Sequence, residues 1–467
     1  MIYKPQTGKM KDDCLFYFDG TYYLFSMYSK TCSYENDVNR YHHVWLATSR
    51  DGIHFTDVGC VVEDFPYEVY AMKVHRGSDA FYMNFGSFNA KGTQCVLEIY
   101  RSADLYHWQH CPELRISTPE DEGVRLDCMN VIREGTRYYG YATGNYNFFT
   151  SQNGKDWQFA RGEIDPAPYA PSTVQYMEVA DCVRMPGGYY MLAGIFGHMG
   201  LRGYGVFVYR SDGPAGPFVP VAEGYRLCGN SLRWVSMWQR CFEKDGEMLT
   251  CNYMYDGYTY EKGRSFLPPI KKLHEQNGSL YLGWWDGNDL LFAGKALTAH
   301  DLAVSNVYPT ILDPEPTEYR TVCSQLPLPA KAAIRFDFTL SDRDGFLCIP
   351  AAGIFLQETE DTGTAIVFDG YGKCEILYLQ EGKAVLHEDV IAKGCAAFYL
   401  PTPGQTYHAK LLMNNGLFEL YLNDRYVQTF NNAHYPGDTA TAFCRLGAVA
   451  LRGGCRMENI TVTPFDV

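Results

Sequence analysis

Hydrophobic and polar positions alternate with a period near two through most of the chain. Gly, Asn and Asp interrupt the alternation every few residues, which predicts short antiparallel strands and few helices. Three hairpins are the clearest instances. Leu15-Phe16-Tyr17-Phe18 runs through the turn Asp19-Gly20 into Tyr22-Tyr23-Leu24-Phe25; a second hairpin turns at Glu134-Gly135 into Tyr138-Tyr139, and a third at Gly187-Gly188 into Tyr189-Tyr190. An acidic residue and a cysteine head each of them, as Asp13-Cys14, Asp127-Cys128 and Asp181-Cys182. Glycine in the turn supplies the backbone freedom that a tight hairpin demands.

A second phrase alternates with the first. Thr48-Ser49-Arg50-Asp51-Gly52, Tyr100-Arg101-Ser102-Ala103-Asp104, Thr150-Ser151-Gln152-Asn153-Gly154 and Tyr209-Arg210-Ser211-Asp212-Gly213 each end a strand in Ser and turn on Asp, Asn or Gly. Side chains of this kind bond to nearby backbone N–H groups, so the phrase reads as the turn into an outer strand. Joined, the two phrases divide the chain into units at 13–62, 68–115, 124–165, 178–225 and 232–296. Five units of about fifty residues predict an all-β, five-bladed β-propeller over residues 1–300. From about residue 301 the texture changes: Pro309, Pro314, Pro316, Pro327 and Pro329 punctuate a linker, and alternating strands such as Ala333–Phe338 and Phe418–Leu422 follow. Residues 301–467 are therefore expected to hold the linker and a lectin-like antiparallel β-sandwich.

Composition narrows the partners. The chain has 467 residues and a formal net charge of −14, which disfavours nucleic acid or an anionic membrane as the main partner. Its 37 Tyr and 27 Phe suit strands, and flat rings also suit sugar faces. No apolar stretch has the length of a membrane span or a signal peptide, so the expected location is the cytoplasm, with the 16 cysteines as reduced core thiols. No Cys-x-x-Cys pair has zinc spacing, and neither metal nor cofactor is expected.

The hairpin heads carry the candidate chemistry. Glycosidic bonds are commonly cut by two carboxyl groups flanking the scissile bond, one giving a proton and the other attacking carbon or activating water. Repeated sheets around an axis bring equivalent positions together, so Asp12, Asp13, Asp127, Glu178 and Asp181 are candidates. Two registers remain open. Asp127 and Glu178 are equally far ahead of their tyrosine pairs, whereas matching on Asp-Cys makes Asp13, Asp127 and Asp181 equivalent.

These residues resemble the glycoside hydrolases built on five-bladed propellers, nearest the β-fructosidase (invertase and levanase) family, with arabinanase and xylosidase relatives. Asp12-Asp13-Cys14 is similar to that family's opening Asp-Pro hairpin, Arg125-Leu126-Asp127 to its Arg-Asp-Pro element, and Glu178-Val179-Ala180-Asp181 to its Glu-Cys-Pro-Asp element. The trailing sandwich favours the β-fructosidase branch. The resemblance implies a glycosidase of a small carbohydrate, with Asp13 as nucleophile or base, Asp127 steadying the transition state and Glu178 as acid/base. It further implies substrate contacts from Asp12, Trp45, Phe85, Arg125, Asp181 and Trp238.

The chain also departs from that pattern. Cys or Ala stands at each proline of the catalytic elements, and Leu126 separates Arg125 from Asp127. Two alternatives stay open. One is a sugar-binding propeller without catalysis, and the other a glycoside phosphorylase drawing on Arg125, Arg184 and His198 for phosphate.

Overall fold

The computed structural model describes residues 2–466 apart from 32–40, 89–94, 118–125, 143–146, 166–176, 199–201, 260–262, 308–317, 343–349, 371 and 391–400. The described chain is all-β, its few helical turns being short 3-10 segments. A first antiparallel sheet orders β1 (Lys9–Phe18), β2 (Thr21–Ser29), β3 (His43–Ser49) and β4 (Thr56–Val62) from one edge to the other. A second follows the same order with β5 (Val69–Arg76), β6 (Phe81–Phe88), β7 (Cys95–Ser102) and β8 (Gln109–His110). The third comprises β9 (Met129–Glu134), β10 (Arg137–Ala142), β11 (Asn147–Ser151) and β12 (Gln158–Arg161). A fourth comprises β13 (Met177–Met185), β14 (Gly188–Phe196), β15 (Tyr204–Ser211) and β16 (Val219–Pro220), with β17 (Arg226–Gly229) also paired to β15.

The fifth group is β18 (Ser236–Lys244), β19 (Glu247–Tyr255), β20 (Ser265–Phe266), β21 (Lys271–Gln276) and β22 (Ser279–Trp284). It does not end as a separate sheet. Its pairing continues into the C-terminal strands, giving one 17-stranded sheet among the described residues. Gly283 faces Arg425, and Trp284 N–H donates to Asp424 O at 2.7 Å. The junction is sealed by Lys271 and Glu419, an ion pair of 2.9 Å without solvent exposure on either side. Within the C-terminal part, the twenty-residue strand Arg445–Pro464 pairs first with Ala351–Gln357 and then with Lys331–Leu340, so one strand serves two groups.

The first strands of the five groups touch in a closed ring: β1 packs on β5, β5 on β9, β9 on β13, β13 on β18 and β18 on β1. This is a propeller-like arrangement around an axis. The chain start helps close it, because Ile2 N–H donates to Leu267 O and Leu267 N–H to Tyr3 O, both at 2.9 Å. Aromatic edges complete the seam, with Tyr22 of β2 meeting Phe242 and Trp285 edge-on at 6.2 and 5.9 Å.

The serine phrase builds the turns its sequence predicts. Ser49, Ser102 and Ser151 close β3, β7 and β11, and each hydroxyl accepts the N–H three residues on, at 2.9 Å. Asp51, Asp104 and Asn153 then accept two further N–H groups apiece. Three backbone N–H groups of each turn are thus satisfied locally, and the following apolar residue can turn inward.

Candidate active site

Strand register along the five inner strands decides which residues share a level. Cys14, Asp181 and Arg240 each follow an irregularity in pairing with the second strand, and so does Lys73. Counted back from the hairpin pairs Phe18–Thr21, Glu134–Arg137, Met185–Gly188 and Lys244–Glu247, the residues Cys14, Asn130, Asp181 and Arg240 are equivalent. Lys73 holds the same place in β5, whose hairpin ends on the Gly77 N–H to Ala80 O bond. Five side chains therefore make one layer across the axis.

That layer is buried and internally paired. Lys73 Nζ stands 2.7 Å from Asp181 Oδ2 and 2.8 Å from Cys241 O, reaching from β5 to both β13 and β18. Asp181 also accepts the N–H groups of Cys241 at 2.5 Å and Cys182 at 2.9 Å. Asn130 donates to Cys182 O at 2.6 Å, and Arg240 to the Cys128 sulfur at 2.8 Å. Burial works against the Lys73 charge, but Asp181 outweighs it and holds the ammonium above its ordinary value. Burial raises the thiols of Cys14, Cys128, Cys182 and Cys241, so these cysteines stay neutral packing groups.

The register also separates the acids. Asp181 is the counterpart of Cys14 and Asn130, so the Asp-Cys match that equated Asp13, Asp127 and Asp181 does not describe the fold. Glu178 and Asp127 each precede the layer by three residues, which is the register given by the tyrosine pairs. Asp12 and Asp13 form the irregularity in β1 itself, between Lys11 and Cys14, with Asp12 at a φ of 54°. A left-handed residue in a bulge re-aims its side chain, and bulges are common beside active sites. All four acids lie ahead of the layer, at one end of the ring, and all are buried.

Their surroundings differ. Asp13 turns into its own sheet, where Ser26 of β2 donates to Oδ1 at 2.8 Å. Burial, with Asp12 adding to it, pushes the Asp13 carboxyl up to about 7 against the opposing Ser26 bond. Asp12 lies toward neighbouring strands. The phenols of Tyr204 on β15 and Tyr253 on β19 are raised well above their ordinary value, by burial first and then by nearby carboxylates. For Tyr204 those carboxylates are Glu178 and Asp12, and for Tyr253 Asp12 is the main one. Arg240 also stands in the field of Asp12 and Asp181. Asp12, Glu178, Tyr204, Tyr253 and Arg240 are thus one constellation.

Two glycines make it possible. Gly194 lies opposite Glu178 in the β13–β14 pairing, and a Cβ there would overlap the hydroxyl of Tyr204. Gly86 N–H donates to Asp127 O, and a Cβ on Gly86 would overlap Leu126 O. Asn84 reinforces that approach: its amide donates to Met129 O at 2.9 Å while its carbonyl accepts Met129 N–H at 2.6 Å, pinning the start of β9 just after Asp127.

The other predicted contacts fall elsewhere. Phe85 is fully buried between Phe65 and Tyr100, at 5.2 and 5.4 Å between ring centres, inside the second sheet's core. Trp45 stacks on Tyr28 at 4.5 Å and donates its indole N–H to the Tyr3 hydroxyl at 2.9 Å, so both its face and its donor are engaged. Arg125 and the side chain of Trp238 lie outside the described residues. Lys73, Tyr204, Tyr253 and Arg240 were not singled out from sequence. A cation inside the apolar run Ala71–Val74, and one directly ahead of Cys241-Phe242, were the available signals for the two basic ones. Among the described residues no three His, Cys, Asp or Glu side chains gather as a metal site.

No family model matches the chain, and no curated protein sequence matches it. Solved structures do. The GH32 β-fructofuranosidase of Bombyx mori superposes with a TM-score of 0.67 at 12% identity, covering 99% of this chain and 92% of that one. Fructan 1-exohydrolase IIa of Cichorium intybus, solved with 1-kestose, gives 0.66 at 10% identity over 99% and 96% of the two chains. Sucrose-6-phosphate hydrolase of Lactobacillus gasseri gives 0.65 at 11% over 99% and 92%. Along nearly its whole length, the chain has the all-β, propeller-containing fold of the GH32 β-fructofuranosidases.

Proposed function

We propose that the protein is a glycoside hydrolase of a small oligosaccharide or glycoside, with a β-fructofuranoside as the first candidate. One relationship carries the reading: Glu178 pairs across the strands with Gly194, against which the Tyr204 hydroxyl packs, and Asp12, from a separate sheet, acts on the same phenol. Two carboxyl groups across a pocket are what glycosidic cleavage needs. The likeness in fold to enzymes acting on fructosides supports the choice of sugar.

In this scheme Glu178 protonates the leaving oxygen while a β1 carboxylate attacks the anomeric carbon. Water, deprotonated by Glu178, then releases the sugar. The contacts of Tyr204, Tyr253 and Arg240 favour Asp12 for the attacking role, whereas Asp13, bonded to Ser26, supports the bulge. Asp127 steadies positive charge that develops on the ring. Asp181 is taken up by Lys73 and backbone N–H groups, and it holds the floor. The architecture proposed to carry this site is a five-bladed propeller over residues 1–300, followed by a linker with β-sandwich over 301–467.

The test is incubation of the purified protein with aryl furanosides, aryl pyranosides, sucrose and short fructans, with and without phosphate. Phosphate-independent release of sugar is expected. Saturable sugar binding without any turnover would leave only the binding-protein reading, and turnover that requires phosphate would make the protein a phosphorylase.

A further inference from the structure

The inner strands continue past the Lys73–Asp181 layer and open on a cavity of about 550 Å³. Residues from all five strands line it, Leu15–Tyr17 of β1, Lys73–Arg76 of β5, Asn130–Arg133 of β9, Asp181–Arg184 of β13 and Cys241–Glu243 of β18. Each lining segment begins at the layer or one residue beyond it, whereas Asp12, Asp13, Asp127 and Glu178 precede it. The cavity is therefore at the opposite end of the axis from the candidate catalytic acids, with the ion pair as the partition.

Its charge runs against that of the chain. A protein of net charge −14 here gathers Lys73, Arg76, Arg133 and Arg184 against the carboxylates of Asp181 and Glu243. Lys73 is neutralised by Asp181, and Arg184 pairs with Glu134 at 2.9 Å. Arg76 and Arg133 have no carboxylate partner among the described residues. Arg76 rests on the rings of Phe18 and Phe81, at 5.3 and 6.0 Å, and Arg133 on that of Tyr138 at 5.4 Å. Stacking fixes each guanidinium plane; Arg133 donates its Nε–H to Gly135 O at 2.9 Å, and the terminal N–H groups of the two arginines remain for an oxyanion.

Deeper polar groups point to the same conclusion. The Nδ1 of His75 and the hydroxyl of Tyr138 are buried and have no hydrogen-bond partner among the described residues, and both residues line the cavity. The opposite ring nitrogen of His75 is fixed 2.7 Å from Gly154 O. Buried polar groups are costly to leave unmet; Nδ1, an acceptor because Nε2 donates to Gly154 O, and the Tyr138 hydroxyl would both be satisfied by ligand hydroxyl groups. A volume of this size admits a small metabolite rather than a single ion.

We infer that this cavity binds a phosphorylated small molecule, with Arg76 and Arg133 taking the phosphate and His75 and Tyr138 meeting its remaining oxygens. The site is separate from the catalytic pocket and does not depend on the hydrolase reading. Calorimetric titration of the whole protein with inorganic pyrophosphate and with a hexose bisphosphate, using the neutral hexose as control, tests it. The expected result is saturable binding of at least one phosphorylated probe and none of the neutral sugar. Affinity should fall at least tenfold in Arg76→Gln/Arg133→Gln, whose exposed side chains can be replaced without disturbing the core, and stay unchanged in Glu178→Gln. Absence of binding at millimolar probe would overturn the assignment, as would binding that survives the arginine changes or is lost with Glu178→Gln.

Discussion

Lys73 and Asp181, 108 positions apart in the chain, meet at 2.7 Å with both side chains almost sealed from water. The pair joins the second sheet to the fourth, and through Cys241 to the fifth group as well. It is the floor of the candidate catalytic pocket and the ceiling of the basal cavity.

Removing one member of a buried pair leaves the other charge unmatched, which costs about 3–5 kcal/mol. Lys73→Met and Asp181→Leu are each expected to lower stability by that order. The double variant should recover much of the loss, because an apolar pair leaves no charge stranded. Urea denaturation of the three variants measures this, and equal or additive losses would show that the pair is not a coupled unit.

Glu178→Gln is expected to lower kcat by about 10²- to 10⁴-fold on poor leaving groups, since it removes the proton donor. The loss should be far smaller for an activated aryl leaving group that needs no proton. Steady-state kinetics on a leaving-group series reads the difference, and full activity throughout would remove Glu178 from the mechanism.

Asp12 and Asp13 should separate cleanly. Asp12→Asn is expected to abolish turnover, whereas Asp13→Asn should retain measurable kcat because Asp13 is directed at Ser26 inside its sheet. Parallel assays of the two variants decide, and the reverse order would return the attacking role to Asp13.

Asp13 also predicts a pH dependence of folding. Its carboxyl is raised from 3.8 to about 7, so the folded state holds the proton more tightly than the unfolded chain. The resulting stabilisation is complete below about pH 4 and is lost as pH rises toward 7, a span of about 4 kcal/mol at most. Denaturation between pH 4 and 8 should show this decline in the wild type and a flatter profile in Asp13→Asn.

Gly194→Ala places a methyl group where the Tyr204 hydroxyl sits. Overpacking of this kind costs about 1–3 kcal/mol and displaces the ring. Activity is expected to fall along with stability, because Tyr204 lies beside Glu178 and Asp12. Tyr204→Phe removes only the hydroxyl and should restore stability to the Gly194→Ala background. A destabilised Gly194→Ala with unaltered kcat would detach Tyr204 from the site.

Strands, hairpin turns and serine-capped outer turns were legible in the sequence because each is decided by neighbours a few residues apart. Period-two alternation, Gly at the turns and Ser or Asp at strand ends act locally, and local chemistry survives in a linear pattern. The presence of acids at the strand heads was legible for the same reason. The sequence left two registers open for these acids, and of the two only the one counted from the tyrosine pairs agrees with the strand pairing. The cysteines stand at different distances from their hairpin turns, Cys14 ahead of Phe18, Cys182 nearer to Met185 and Cys128 farther from Glu134, so identical dipeptides occupy different levels.

What the sequence determined by itself was an all-β chain of repeated hairpins carrying acids at their heads. Only the tertiary structure decided which acids meet. Ring closure brings β1, β13, β15 and β19 together, so Asp12 acquires Tyr253 and Tyr204 while Asp181 acquires Lys73. The physical reason is that a carboxylate's role depends on its burial and on the charges within a few ångströms. Both are set by strands that lie far apart in the chain.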